Sequence, residues 1–106
     1  MSANGKVNYI EFPANNIEAT KAFFIKAFAW SFDDYGPDYI AFMNQGVNGG
    51  FYRSDLKAST ERGSALVVLF SDTLEQTQAN GERAGGIIVK DIFSFPGGRR
   101  FHFTEP

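Results

Sequence analysis

The sequence predicts one α+β domain made of two copies of a strand–helix–strands unit, with a concave sheet forming an aromatic-lined hollow. Three observations carry this expectation. Strand-like and helix-like segments follow the same order in each half. An apolar-Glu-x-Thr tetrad, Ile17-Glu18-Ala19-Thr20 and Leu74-Glu75-Gln76-Thr77, recurs where each helix should start. Aromatic residues make up 16% of the 106-residue chain, more ring surface than helix packing alone needs. At this length a single core is expected.

Residues 6–12 alternate Val7, Tyr9 and Glu11 against Asn8, Ile10 and Phe12, the pattern of a strand with two different faces. Pro13, which cannot donate to a ladder, is expected to stop it. Asn15 or Asn16 then offers an N-cap, Glu18 suits the positive end of a helix, and Ile17, Thr20, Phe24, Ala27 and Phe28 recur at helical spacing. After Trp30, residues 31–34, 39–44 and 49–53 are short strand-like runs. They are separated by the turn compositions Tyr35-Gly36-Pro37-Asp38 and Asn44-Gln45-Gly46, which predicts an antiparallel meander. Residues 54–63 are polar and read as a connecting loop between modules at about 5–54 and 63–106.

The second half opens on Ala65-Leu66-Val67-Val68-Leu69-Phe70, an unbroken apolar run of strand length that predicts a strand buried on both faces. Ser71 or Asp72 should cap the next helix, which ends at Gly85-Gly86; Asn80-Gly81 within it is a weak point. Residues 87–93 and 99–104 read as strands joined by the turn Phe95-Pro96-Gly97-Gly98.

Composition removes several classes of function. The absence of cysteine rules out disulfides, thiolate metal sites and a cysteine nucleophile, so any metal would depend on the single histidine and on carboxylates. A net charge of −2 lacks the footprint of a nucleic-acid binder. No apolar run approaches a membrane span, and no secretion signal opens the sequence, so the cytoplasm is the expected compartment.

The segments Val7-Asn8-Tyr9-Ile10-Glu11-Phe12-Pro13, Asn16-Ile17-Glu18-Ala19-Thr20, Phe23-Phe24 and Phe28-Ala29-Trp30 resemble the opening of the glyoxalase/bleomycin-resistance/extradiol-dioxygenase (vicinal oxygen chelate) superfamily. Ala84-Gly85-Gly86 and Phe101-His102-Phe103-Thr104-Glu105-Pro106 resemble its later landmarks. The resemblance implies paired βαβββ modules curling into a cup, commonly a homodimer, and in many members a divalent metal in the cup. It also shows what is missing. Tyr9 and Leu66 stand where metal-binding members usually place histidines, and the family's last acidic ligand lies on a strand beyond Pro106. An absent final strand would leave an open sheet edge, which favours pairing with another chain.

By this resemblance Tyr9 and Glu11, which alternation puts on one face, line the cup, where a carboxylate in apolar surroundings could act as an acid or base. The alternative is a Glu11 that is hydrogen-bonded or faces solvent. His102, the one side chain that normally titrates near neutrality, lies opposite Phe101 and Phe103 on its strand. Glu11 and His102 are therefore the candidate catalytic residues, with a structural or surface histidine as the plainer reading. Arg53, Arg99 and Arg100 carry forked donors suited to a carboxylate or phosphate, with solvated arginines as the plainer reading; Arg99-Arg100 is the better site, because alternation sends at least one of the two toward the cup, and Arg53 and Arg100 join the expected ligand-binding set. Trp30, Phe42, Phe51 and Phe93 complete the expected ligand-binding set.

The function expected is a small-molecule-binding protein that holds a flat apolar or aromatic ligand without a cofactor. The alternative is a lyase, isomerase or dioxygenase of glyoxalase type, for which a divalent metal would be required.

Overall fold

Strands and helices alternate as the repeat implies in the computed structural model, which describes residues 4–56 and 67–105. The first half comprises β1 (Tyr9–Ala14), α1 (Ile17–Phe28), β2 (Phe32–Asp34), β3 (Tyr39–Phe42) and β4 (Asn48–Arg53). The second comprises α2 (Leu74–Arg83), β5 (Ile87–Phe95) and β6 (Gly98–Thr104).

In the first half a complete βαβββ unit forms a mixed, curved sheet in the order β1-β4-β3-β2. β1 runs parallel to β4, and β2, β3 and β4 form the antiparallel meander. β1 does not stop before Pro13 but continues through it to Ala14. As an edge strand it leaves one row of N–H groups without a ladder partner, which is where a proline is tolerated.

α1 starts where a capping side chain can satisfy its first amides. The Asn16 side chain accepts from the Ala19 N–H at 3.1 Å, and Glu18 lies in the first turn. Ile17, Thr20, Phe23 and Ala27 form the buried stripe. The helix ends at Ala29, which takes the left-handed conformation at φ 59° and donates to the Ile25 carbonyl. Phe12, Ala14, Ile17, Ile40, Phe42 and Phe51 make the core between α1 and the sheet, with Trp30 and Phe24 packed against it.

The second half departs from its expected form at its start. Residues 67–70 carry no strand, and Val67, Val68 and Phe70 are exposed, Phe70 at 93%. A strand buried on both faces needs ladder partners; here β5 pairs only with β6, in a two-stranded antiparallel ribbon. Ala65 and Leu66, with most of the expected 54–63 loop, lie outside the described residues.

The N-cap of α2 is Thr73 rather than Ser71 or Asp72, and its side chain makes no capping bond. Ser71 instead accepts from the Thr73 N–H at 3.0 Å and pairs with the Thr77 hydroxyl at 2.7 Å. The helix continues through Gly81 to Arg83. β5 extends to Phe95, and two register shifts interrupt its pairing, one after Ile88 and one after Lys90.

The halves meet through their helices and β6. The Phe103 ring packs on Phe23 and Phe28 at 5.8 and 5.4 Å, and Thr20 on α1 donates its hydroxyl proton to the buried Glu105 carboxylate. Gly86 lets the chain pass close over Phe23: a Cβ there would stand 2.7 Å from the ring. No helix among the described residues is long and apolar enough to cross a membrane.

Candidate functional site

The first sheet has two chemically different faces. Ile10, Phe12 and Ala14 of β1 turn toward the core, so Tyr9 and Glu11 emerge on the opposite, open face. There they meet Tyr39, whose phenol lies over Gly50; a Cβ on Gly50 would be 2.3 Å from its oxygen. Tyr39 donates to the Glu11 carboxylate at 2.8 Å, and its oxygen lies 2.6 Å from that of Tyr9. Because the Tyr39 proton is committed to Glu11, Tyr9 is the donor in the second bond. Burial pushes the Tyr39 phenol well above its ordinary range, and its bonds with Tyr9 and Glu11 push the same way. Tyr39 is thus a fixed donor rather than a base. Alternation placed Tyr9 and Glu11 on one face, but the closure of the Tyr9–Tyr39–Glu11 chain was not legible in it.

The enclosed space lies elsewhere. Between the halves, on the core side of the first sheet, is a hollow of about 470 Å³. Phe12, Phe24, Phe28, Trp30 and Phe51 form its first-half wall. Residues 67–70, Leu74 and the rings of Phe95, Phe101 and Phe103 close it from the second half. Trp30 stacks on Phe24 with centroids 4.8 Å apart, so the wall is built from mutually packed rings. The volume suits a small organic molecule, and the wall has the mostly apolar character such sites share.

The expected site residues therefore separate into groups. Trp30, Phe51, Arg100 and His102 border the hollow. Tyr9 and Glu11 stand on the open face, Phe42 is buried in the core, and Arg53 lies at the end of β4, 3.8 Å from Asp38. Phe93 stands beside the hollow without lining it and packs edge-on against His102 at 5.4 Å. Burial, then the positive charges of Arg100 and Lys90, hold the His102 imidazole below its ordinary range, so it is neutral at pH 7. Arg99 also borders the hollow and makes a 2.8 Å ion pair with Glu75. Phe28, Leu74 and Phe103 are lining residues that sequence reasoning did not single out. Strand alternation around His102 was the available signal for Phe103.

Comparison with solved structures shows which architecture this is. A glyoxalase-related enzyme from Fulvimarina pelagi superposes with a TM-score of 0.72 at 18% identity, over 96% of this chain and 81% of its own. A glyoxalase/bleomycin resistance protein/dioxygenase family enzyme from Burkholderia phytofirmans PsJN superposes with a TM-score of 0.69 at 12% identity, over 96% of this chain and 91% of its own. A glyoxalase/bleomycin resistance protein/dioxygenase from Nocardioides gives 0.68 at 12% identity, over 100% of this chain and 80% of its own. The chain has the glyoxalase/bleomycin-resistance/dioxygenase fold. Neither a protein-family model nor a curated protein matches the sequence.

Many proteins of the superfamily resembled hold a divalent metal, and the residues present here do not fit one. Among the described residues no three His, Cys, Asp or Glu side chains converge. Glu11 is engaged with two phenols, while His102 sits among Phe93, Arg100 and Lys90, whose charges repel a cation. No hydrogen bond or ion pair joins Glu11 to His102.

Proposed function

We propose that this protein is a glyoxalase/bleomycin-resistance-type binding protein that holds a flat, mostly apolar molecule in the hollow between its halves without a metal. The observation that carries this reading is the ring-lined hollow of about 470 Å³, around which no metal-ligand triad is gathered among the described residues. Phe24, Phe28 and Trp30 would stack on or edge against a planar ligand, and Leu74 and Phe103 would cover its other side.

The test is calorimetry with a neutral planar probe, 2-naphthamide, on protein purified without added metal. Binding that is abolished by Leu74→Trp, which fills the hollow from the start of α2, supports the reading. Binding that survives the substitution in a folded protein overturns it. Zn, Ni, Mn or Fe at one equivalent in the purified protein overturns the metal-free part and favours the lyase, isomerase or dioxygenase alternative.

The reading includes a homodimer. Val67, Val68, Phe70, Ile87 and Val89 expose apolar surface in the second half, and burying it against another copy would be favourable. Sedimentation at micromolar concentration checks this, and a monomer sinks it.

A further inference from the structure

Arg100 and His102 are two residues apart on β6 and leave the ribbon on the same face. Their register partners on β5 are Phe93 and Lys90. The Arg100 guanidinium lies 4.6 Å over the Phe95 ring and 5.5 Å from that of Phe93, and the Lys90 ammonium lies 3.9 Å over Phe93. A guanidinium, an ammonium and an imidazole are thus gathered on two rings.

Among the described residues no ion pair engages Lys90, Arg100 or His102. The ion pairs among the described residues are Lys21 with Asp34, Arg53 with Asp38, and Arg99 with Glu75. Glu105 also borders the hollow, but it is buried and accepts from Thr20 on the α1 side. The ring faces attract the cations yet cannot accept a directed hydrogen bond in the guanidinium plane. Arg100 Nε and His102 Nε2 are both buried with no hydrogen-bond partner among the described residues. Leaving such a group unpaired is costly, so an orphan of this kind calls for a partner from outside the chain. Both residues lie on the wall of the hollow, which gives that partner a place to sit.

We propose that Arg100, flanked by Lys90 and His102, is the anion-binding end of the hollow, and that the ligand is a flat aromatic carboxylate. Its ring body lies among Phe24, Phe28 and Trp30, and its carboxylate takes the forked Arg100 donors. This rests on the hollow being the ligand site, and the test separates the two claims.

Calorimetry on the full chain compares 2-naphthoate with its neutral isostere 2-naphthamide. Naphthoate should bind about tenfold or more tightly, the scale of a charge-assisted pair. Arg100→Gln should remove that preference, and Arg100→Lys should keep part of it, since charge remains but the fork is lost. Lys90→Gln should reduce the preference by a smaller factor. Circular dichroism establishes that each variant is folded; should Arg100→Gln not fold, Arg100→Lys and Lys90→Gln decide. Equal binding of the two probes overturns the anion site and leaves the hollow standing. Binding of neither overturns both. A naphthoate preference unchanged in every folded variant also overturns the proposal, because the anion is then held elsewhere.

Discussion

The two halves each place a helix before a run of strands but bury their residues very differently. In the first, Phe12, Ala14, Ile17, Ile40, Phe42 and Phe51 are nearly inaccessible, because a four-stranded sheet offers α1 a continuous apolar face. In the second, α2 buries only Gly81, and the two-stranded ribbon is mostly half-exposed. A helix and a two-stranded ribbon cannot enclose a core between them. The second half takes its order from the first, through Phe23, Phe28 and Phe103, and the hollow is the space that this incomplete packing leaves.

Removing the bridge should break this arrangement most severely. Phe23 is 1% exposed and touches rings from both halves, so Phe23→Ala should cost about 3–5 kcal/mol in urea unfolding. In the monomer, Phe70→Ser, at a 93% exposed position, should shift stability by no more than about 0.5 kcal/mol. If the two costs are similar, the halves are not coupled as described.

Glycine substitutions sharpen the contrast. A Cβ on Gly49 would meet the Ile10 carbonyl oxygen at 2.2 Å, inside the first sheet, and Gly49→Ala should lose about 1–3 kcal/mol. Gly81 has open space around its missing Cβ, so Gly81→Ala should stabilise α2 by roughly 0.5–1 kcal/mol. Thermal unfolding reads both, and a loss at Gly81 would contradict the looser packing of the second half.

The helix starts differ in the same sense. Asn16→Ala removes a capping bond and should cost about 1 kcal/mol, whereas Thr73→Ala removes none and should be near neutral. Equal costs would mean that Thr73 caps α2 in solution.

The smallest expected effect is pH-dependent and belongs to the second half. Burial, together with Arg100 and Lys90, depresses the His102 pKa on folding, so the unfolded chain binds a proton more readily. The stability this contributes is complete above the unfolded value of about 6.5 and declines as pH falls through it toward the folded value. Urea midpoints between pH 8 and pH 5 should fall less steeply in His102→Gln. As the only histidine, His102 also gives a single imidazole titration by NMR, which should lie below the ordinary range.

Much of the first half was readable from local pattern. The Asn16 cap, the stripe of α1, the meander and the tetrad opening each helix depend on residues close in the chain, and each lies where that chemistry puts it. Pro13 was misjudged because edge position is a property of the sheet rather than of the strand. Residues 67–70 were misjudged because an apolar run forms a buried strand only where ladder partners exist.

The candidate site was less legible. Alternation placed Tyr9 with Glu11 and Arg100 with His102, but it carries no information on which face will be enclosed. What the sequence determined alone was the place of the two helices, the meander of the first half and the abundance of rings, since these follow from periodicity and composition. The tertiary structure decided that Tyr9 and Glu11 face outward with Tyr39, and that Arg100 and His102 meet the ring-lined hollow. That choice depends on how two distant halves pack, and residues far apart in the chain encode it jointly.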